Sequence, residues 1–273
     1  MRPATSPGHP GPDRSLFGSA KLSFFRMKAA GPRIRSAATR CGILVAALLL
    51  AACDGSQPLM AKAEPRAPRF PAADRPVASI VSARWSTEEA RDRVREAERV
   101  MDMADIRPGM TVAEIGAGEG YYTVRLAQRV GQQGRVLAQD IIADVRDTLA
   151  DRVARERLAT VSVRLGEPDD PKLPAASFDR VMMIHMYHEI AQPYAFLWRL
   201  RPALKPGGLV VVVDADRATQ NHGTPPALLR CEFAAVGYAQ VKREEIAGAG
   251  GYLATFQATG PRPDVSAIHP CRA

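Results

Sequence analysis

Between residues 86 and 260 the apolar positions switch repeatedly between a helical and an extended period, and the order of the switches predicts the elements. Ser86 to Glu89 has the form S-x-x-E, which predicts a capping box at a helix start. Ala90, Val94, Ala97, Val100 and Ala104 then recur at helical spacing, so an amphipathic helix precedes the first strand. Short apolar runs follow at Thr111 to Ile115, Arg135 to Asp140, Val161 to Leu165, Arg180 to Ile184 and Leu209 to Val213, separated by helical patterns. This alternation predicts an α/β fold with a doubly wound, mostly parallel sheet. After a helix opened by Pro225 and Pro226, the runs Tyr238 to Ile246 and Tyr252 to Thr259 flank Gly248, Gly250 and Gly251. They predict an antiparallel hairpin at the sheet edge, which brings the sheet to seven strands.

The first strand runs into VAEIGAGEGYY, Val112 to Tyr122, where Gly116, Gly118 and Gly120 are spaced G-x-G-x-G ahead of helix-forming residues. Such glycines let a ligand lie against the main chain, and the helix behind them aims its N-terminal amides into the same space. The dinucleotide fingerprint G-x-G-x-x-G is not met, because position 121 is Tyr, and a nicotinamide cofactor is disfavoured. Glu114 stands at the strand end, where a purely structural position would be apolar. A carboxylate buried there needs a cationic or hydrogen-bonding partner. The second strand ends at Asp140, roughly 20 residues after the loop, where an acid can accept both hydroxyls of a ribose.

With these residues the chain resembles the class I S-adenosylmethionine-dependent methyltransferases, over nearly everything from Met103 to Gly260, and within them a signal-bearing bacterial branch. VAEIGAGEGYYTVRLA resembles the first motif of that family and VLAQDI its second strand. SFDRVMMIHMYHEI resembles the fourth strand and active-site edge, and LRPALKPGGLVVVVD the helix, turn and fifth strand beyond it. A more distant likeness, in EIGAGEGYYT, is to the protein-isoaspartate methyltransferases. The resemblance implies a Rossmann-like methyltransferase fold and S-adenosyl-L-methionine as cofactor. It implies Glu114 near the methionine end, Gly116, Gly118 and Gly120 along the cofactor, and Asp140 on its ribose. It also implies an acid after the third strand beside the adenine. Here that position is Glu167, where the family more often has Asp, with Asp169 and Asp170 as alternatives.

Ligands of open α/β sheets bind beyond the carboxyl ends of the strands. At the ends of strands four and five the sequence offers His185, Tyr187, His188 and Glu189, then Asp214, Asp216 and His222. Methyl transfer needs chiefly an acceptor held in line with the methyl group. An aromatic face such as Tyr121, Tyr122 or Tyr187 would stabilise the sulfonium. For a hydroxyl or amine acceptor one base near neutral pH would help, and His188, followed by Glu189, is preferred to His185. Met182, Met183 and Met186 read as core filler or pocket lining. No C-x-x-C and no run of histidines suggests a metal.

The formal charge of +8 does not spread over the chain. Residues 1 to 53 hold eight Lys or Arg against one acid, Asp13, which leaves 29 basic against 28 acidic residues in the remainder. A nucleic-acid partner is therefore not expected. Lys28, Arg33, Arg35 and Arg40 precede a twelve-residue apolar run, Cys41 to Ala52, that closes in LAAC. A run of that length suits a signal peptide and falls short of the roughly 20 residues that span a bilayer as a helix. The closing residues resemble a bacterial lipobox, which implies lipidation of Cys53, with Met27 as the expected initiator. Residues 54–80 then form a Pro/Ala-rich tether, 81–260 the domain and 261–273 a tail. Asp54 resembles an inner-membrane retention signal, which places the protein lipid-anchored on the periplasmic side of the inner membrane, with the cytoplasm as the alternative. The expected partner is a small-molecule or envelope-component acceptor. Cys231 and Cys271 are free to pair in an oxidising compartment or to remain apart. Two further functions stand beside methyl transfer: a lipid-anchored ligand-binding module that retains only the fold, and a nucleotide-dependent oxidoreductase.

Overall fold

The computed structural model describes residues 69–80, 86–248 and 251–272. The chain falls into two units, Met1–Ala61 and Lys62–Ala273, and every described residue belongs to the second. The leader, the lipobox at Cys53 and the first part of the tether lie outside the described residues.

Among the described residues seven strands form one sheet: β1 (Thr111–Ile115), β2 (Arg135–Asp140), β3 (Val161–Leu165), β4 (Phe178–Ile184), β5 (Leu204–Asp214), β6 (Tyr238–Ile246) and β7 (Gly251–Ala258). Their order across the sheet is β3-β2-β1-β4-β5-β7-β6. The first five run parallel, and β7 enters antiparallel to both β5 and β6. This is the expected doubly wound sheet with its C-terminal hairpin. Because β1 lies between β2 and β4, chain order reverses at its carboxyl end and opens a crevice there.

Among the described residues six α-helices pack with the sheet: α1 (Glu88–Arg93), α2 (Glu96–Met103), α3 (Tyr121–Val130), α4 (Ala143–Arg155), α5 (Pro193–Leu200) and α6 (Pro226–Ala235). On one face Val112, Met182, Val211 and Val213 meet Val100, Tyr122, Leu126 and Val130. On the other Ala113, Val181, Met183 and Val212 meet Tyr194, Leu197, Leu200, Leu229 and Phe233. Met182 and Met183 are core residues with no exposure. Phe233 also stacks on Phe256 at 3.8 Å between centroids and meets Tyr238 edge-on. Each such side chain taken fully out of water contributes about 1.5–3 kcal/mol, which is what fixes the helices against the sheet.

Two local expectations are corrected. The continuous helix expected over Ala90 to Ala104 is broken between α1 and α2, where Arg95 takes a left-handed φ of 52°. The break turns Glu96 inward to meet Arg91, and a buried ion pair outweighs the uninterrupted helix. The cap is Thr87, not Ser86, and its hydroxyl accepts from the Ala90 amide.

Residues 69–80, assigned by composition to the tether, lie against the domain. Arg75 is buried and its Nε is 2.8 Å from Glu232 of α6, with neither side chain exposed. Its guanidinium also donates to the carbonyl of Ile190, the Ala78 amide to that of His188, and the Thr219 hydroxyl to that of Pro76. The tail is held too: Cys271 forms a disulfide with Cys231 of α6, at a Cα separation of 6.0 Å, and its amide donates to the Tyr194 hydroxyl. Sequence left this pairing open, and the fold closes it.

Candidate active site

A cavity of about 600 Å³ opens at the carboxyl ends of β1, β2 and β4, a volume suited to a cofactor with a small second ligand. On one side stands the glycine loop. Gly116, Gly118 and Gly120 all take left-handed φ angles, of 67°, 55° and 88°. A Cβ on Gly120 would lie 2.5 Å from Leu149 Cδ1, and one on Gly116 would lie 3.0 Å from Met186 Cγ. Backbone and packing thus both require glycine at these two positions. Gly120 also starts α3, whose first turn borders the cavity at Tyr121 and Tyr122.

Two acids flank the loop. Asp140 accepts from the amides of Gly118 and Ile142, each at 3.0 Å. A carboxylate has about four lone-pair positions, so two oxygens so engaged still have capacity for a ribose. Glu114 is buried, and burial pushes its carboxyl up to about 7 against the opposing bond from the Thr123 hydroxyl at 2.6 Å. A cationic ligand beside it would restore the charge. Glu167 lines the cavity from beyond β3, exposed and paired with Lys172 at 3.3 Å. Asp169 is engaged by Arg199 and Asp170 by the Lys172 amide, and neither lines the cavity. Ile141 and Ile142 put exposed apolar side chains on the same rim. At the end of β2 both polar atoms of the Gln139 side chain are buried without a partner, close under Gly166.

On the other side His188 and Glu189 sit in a one-turn 3-10 helix, Tyr187–Glu189, directly after β4. His188 is buried, with Nδ1 3.0 and 3.1 Å from the two oxygens of Asp214 at the end of β5. Asp214 further accepts from the Thr224 hydroxyl at 2.7 Å and the Ala215 amide at 2.9 Å. A carboxylate so fully engaged fixes the imidazole's orientation and tautomer. Glu189 is half-buried, and burial raises its carboxyl to about 7, with Asp140 and Asp214 adding to the rise and His188 opposing it. His222 joins them from the loop after β5, its ring edge-on to His188 at 5.5 Å. Linear spacing shows no histidine cluster, yet the fold assembles one: His188, Glu189 and His222 offer ligand atoms within 4.8 Å of one another.

Other expected residues take different parts. His185 lines the cavity with its Nε2 3.2 Å from Glu96, which also takes a two-pronged contact from Arg91 and the Tyr122 hydroxyl. Burial would raise the Glu96 carboxyl, but the bonds from His185 and Arg91 bring it down to about 2. Tyr187 cannot face a sulfonium: it has no exposure, does not line the cavity, and donates its hydroxyl to Glu232. The Tyr121 ring is already held by two guanidinium groups, Arg91 at 3.9 Å and Arg125 at 3.8 Å. Asp216 is exposed and off the cavity. Arg91, Glu96, Thr123 and Gln139 were not singled out in the sequence. Only Gln139, polar inside an otherwise apolar strand, carried a signal that would have found it; Glu96 lies off the predicted apolar stripe and turns inward only through the break at Arg95.

Residues 112–208 match a family model described as a methyltransferase domain. Over 85 residues the chain is 42% identical to nocamycin O-methyltransferase of Saccharothrix syringae, which takes in 31% of this chain and 30% of that protein. Over 127 residues it is 31% identical to a protein-L-isoaspartate O-methyltransferase of Methanothrix thermoacetophila, covering 44% of this chain and 58% of the relative. The chain thus spans less than two thirds of the length of these curated relatives. Among solved structures, a SAM dependent methyltransferase from Aquifex aeolicus superposes with a TM-score of 0.57 at 22% identity, over 61% of this chain and 92% of that one, a likeness in fold. Residues 112–208 are thus similar to a methyltransferase domain, and the order of the seven-stranded sheet agrees with the fold of that solved structure.

Proposed function

We propose that this protein transfers a methyl group from S-adenosyl-L-methionine to an acceptor seated between the glycine loop and His188. The observation that carries the reading is the convergence on one cavity of a buried acid, a left-handed glycine loop and Asp140. The residues fit the cofactor: the loop has no room for side chains at Gly116 and Gly120, Asp140 retains accepting capacity, and the Gln139 amide is buried without a partner beside the apolar Ile141 and Ile142.

Glu114 would accept from the ammonium of the methionine portion, Gly116, Gly118 and Gly120 would lie along the cofactor, Asp140 would take the ribose hydroxyls, and Glu167 would border the adenine. Tyr121 borders the cavity from the start of α3, held by Arg91 and Arg125. Bound there, the cofactor supplies an activated methyl group on a sulfonium, for which alignment is the main requirement. His188 would receive the acceptor's proton, and its contact with Asp214, which would stabilise the imidazolium that forms, supports that role. Glu189 would hold a polar group of the acceptor, and His185 acts on the site through Glu96 rather than on the acceptor.

The leader belongs to the same proposal. Export with lipidation of Cys53 fits the Cys231–Cys271 disulfide, since such bonds persist in oxidising compartments. Among the described residues no helix is long and apolar enough to cross a membrane. The acceptor is then a small molecule or an envelope component. Export would also separate the domain from cytoplasmic cofactor, and that consideration favours the second reading, a binding module without turnover.

Calorimetric titration of the full chain with S-adenosylmethionine and with NADH separates the readings. Saturable one-to-one binding of the first alone, with methyl release to an acceptor, supports the transferase. Binding of neither favours the module, and binding of NADH alone an oxidoreductase. Incorporation of a fatty-acid analogue into the wild type and not into Cys53→Ala tests the anchor; equal labelling removes it.

A further inference from the structure

We propose that His188, Glu189 and His222 form a binding site for a divalent transition-metal cation at the acceptor end of the cavity. The three side chains come from two separate segments, the turn after β4 and the loop after β5, and their ligand atoms already lie within 4.8 Å of one another. Metal–ligand bonds of about 2.0–2.2 Å bring such atoms to about 3–3.5 Å apart, so closing the site takes movements of about 1 Å. His222 can supply them, being half-exposed in a loop.

Three features beyond proximity point to a cation. The set is two imidazoles and one carboxylate, the donor combination suited to borderline divalent metals rather than to magnesium or calcium. Asp214 holds His188 Nδ1 at 3.0 Å, which assigns Nε2 as the ligating atom and gives the carboxylate–histidine arrangement that orients metal-bound imidazoles. The two rings meet edge-on at 5.5 Å, so they can direct nitrogen atoms to one point without stacking against each other. All three residues line the cavity, and three protein ligands leave coordination positions open towards it.

A cation held there would take an oxygen of the acceptor as a further ligand. Coordination lowers the pKa of a bound hydroxyl, whose proton passes to water while the oxygen lone pair faces the methyl group. This favours hydroxyl acceptors, above all those with a second oxygen within chelating distance. His188 is then a ligand and not the base. That role rests on the methyl-transfer reading, whereas the binding of the cation does not.

The test is a titration of tag-free, chelator-treated full chain with Co²⁺, read by its visible ligand-field bands and by calorimetry. The wild type and a His269→Ala control should bind one equivalent, and His222→Ala and Glu189→Gln should bind at least about tenfold more weakly with unchanged circular dichroism. No saturable site in the wild type, or equal affinity in both variants, overturns the proposal. Should a variant not fold, pulsed electron paramagnetic resonance of Cu²⁺ bound to the wild type decides, two coupled imidazoles supporting the site and fewer overturning it. S-adenosylmethionine affinity is measured on the same samples. Co²⁺ binding without cofactor binding would sink the transferase and leave the metal site standing; the reverse result would sink the metal site alone.

Discussion

The two ends of the cavity are built on different terms. At the cofactor end the groups that shape the space, Glu114, the three glycines, Gln139 and Asp140, lie on two neighbouring strands and one loop, and the loop's backbone does most of the work. At the acceptor end His188 depends on Asp214 at the end of β5 and Thr224 from beyond it, and its turn is held by Arg75 from residues 69–80 and Glu232 of α6. The first end is set by local conformation; the second exists only once four distant segments have packed. The cofactor end should therefore tolerate remote damage that the acceptor end does not.

The largest expected effect sharpens that contrast. His188→Gln should lower methyl transfer by about 10²- to 10⁴-fold while leaving cofactor affinity within about threefold, because the ring touches only the acceptor side. Paired kinetics and calorimetry check this, and a parallel loss of affinity would erase the distinction between the ends. Next, Arg75→Ala leaves the Glu232 carboxylate buried without its cation and should cost about 3–5 kcal/mol of stability. Below the lowered melting temperature the variant should still bind cofactor but turn over slowly, as its His188 turn loosens. Denaturant melts combined with binding and rate measurements would reveal any equal loss at both ends.

Asp140→Ala should weaken cofactor binding by about 10- to 100-fold, since each hydrogen bond to a charged group contributes about 1.5–3 kcal/mol and the Gly118 amide loses its partner as well. The smallest effect is on pH dependence. With its carboxyl near 7, Glu114 is mostly neutral at about pH 6 and mostly ionised at about pH 8. A cationic ligand needs the ionised form, so affinity should rise about tenfold across that interval. Binding rather than rate is the quantity to follow, because Glu189 titrates in the same range. A flat profile in the wild type, or the same slope in Glu114→Gln, would remove Glu114 from the site.

The same division explains what could be read from the sequence. Gly116, Gly118 and Gly120 announce themselves because left-handed backbone writes glycine directly into the chain, and Glu114 stands out as an acid ending an apolar strand. The strands and the closing hairpin followed from period alone. The break at Arg95 did not, because its reason is an ion pair between Arg91 and Glu96 whose burial depends on Tyr122 and His185. Residues 69–80 looked like tether because Pro and Ala mark a linker by composition, whereas their attachment rests on one arginine and a few carbonyls. The His188, Glu189 and His222 cluster was invisible for the same reason: its members are separated by a whole strand and meet only when β4 and β5 pair.

The bond between Cys231 and Cys271 encloses α6's second half, both antiparallel strands and the tail in one covalent ring, its ends separated by 40 in sequence. Closing a ring of that length restrains the unfolded chain by about 4 kcal/mol in the chain-entropy picture. A protease that cut the connection between β6 and β7 would therefore release nothing, since both pieces would stay tied at the base until a reductant opened the ring.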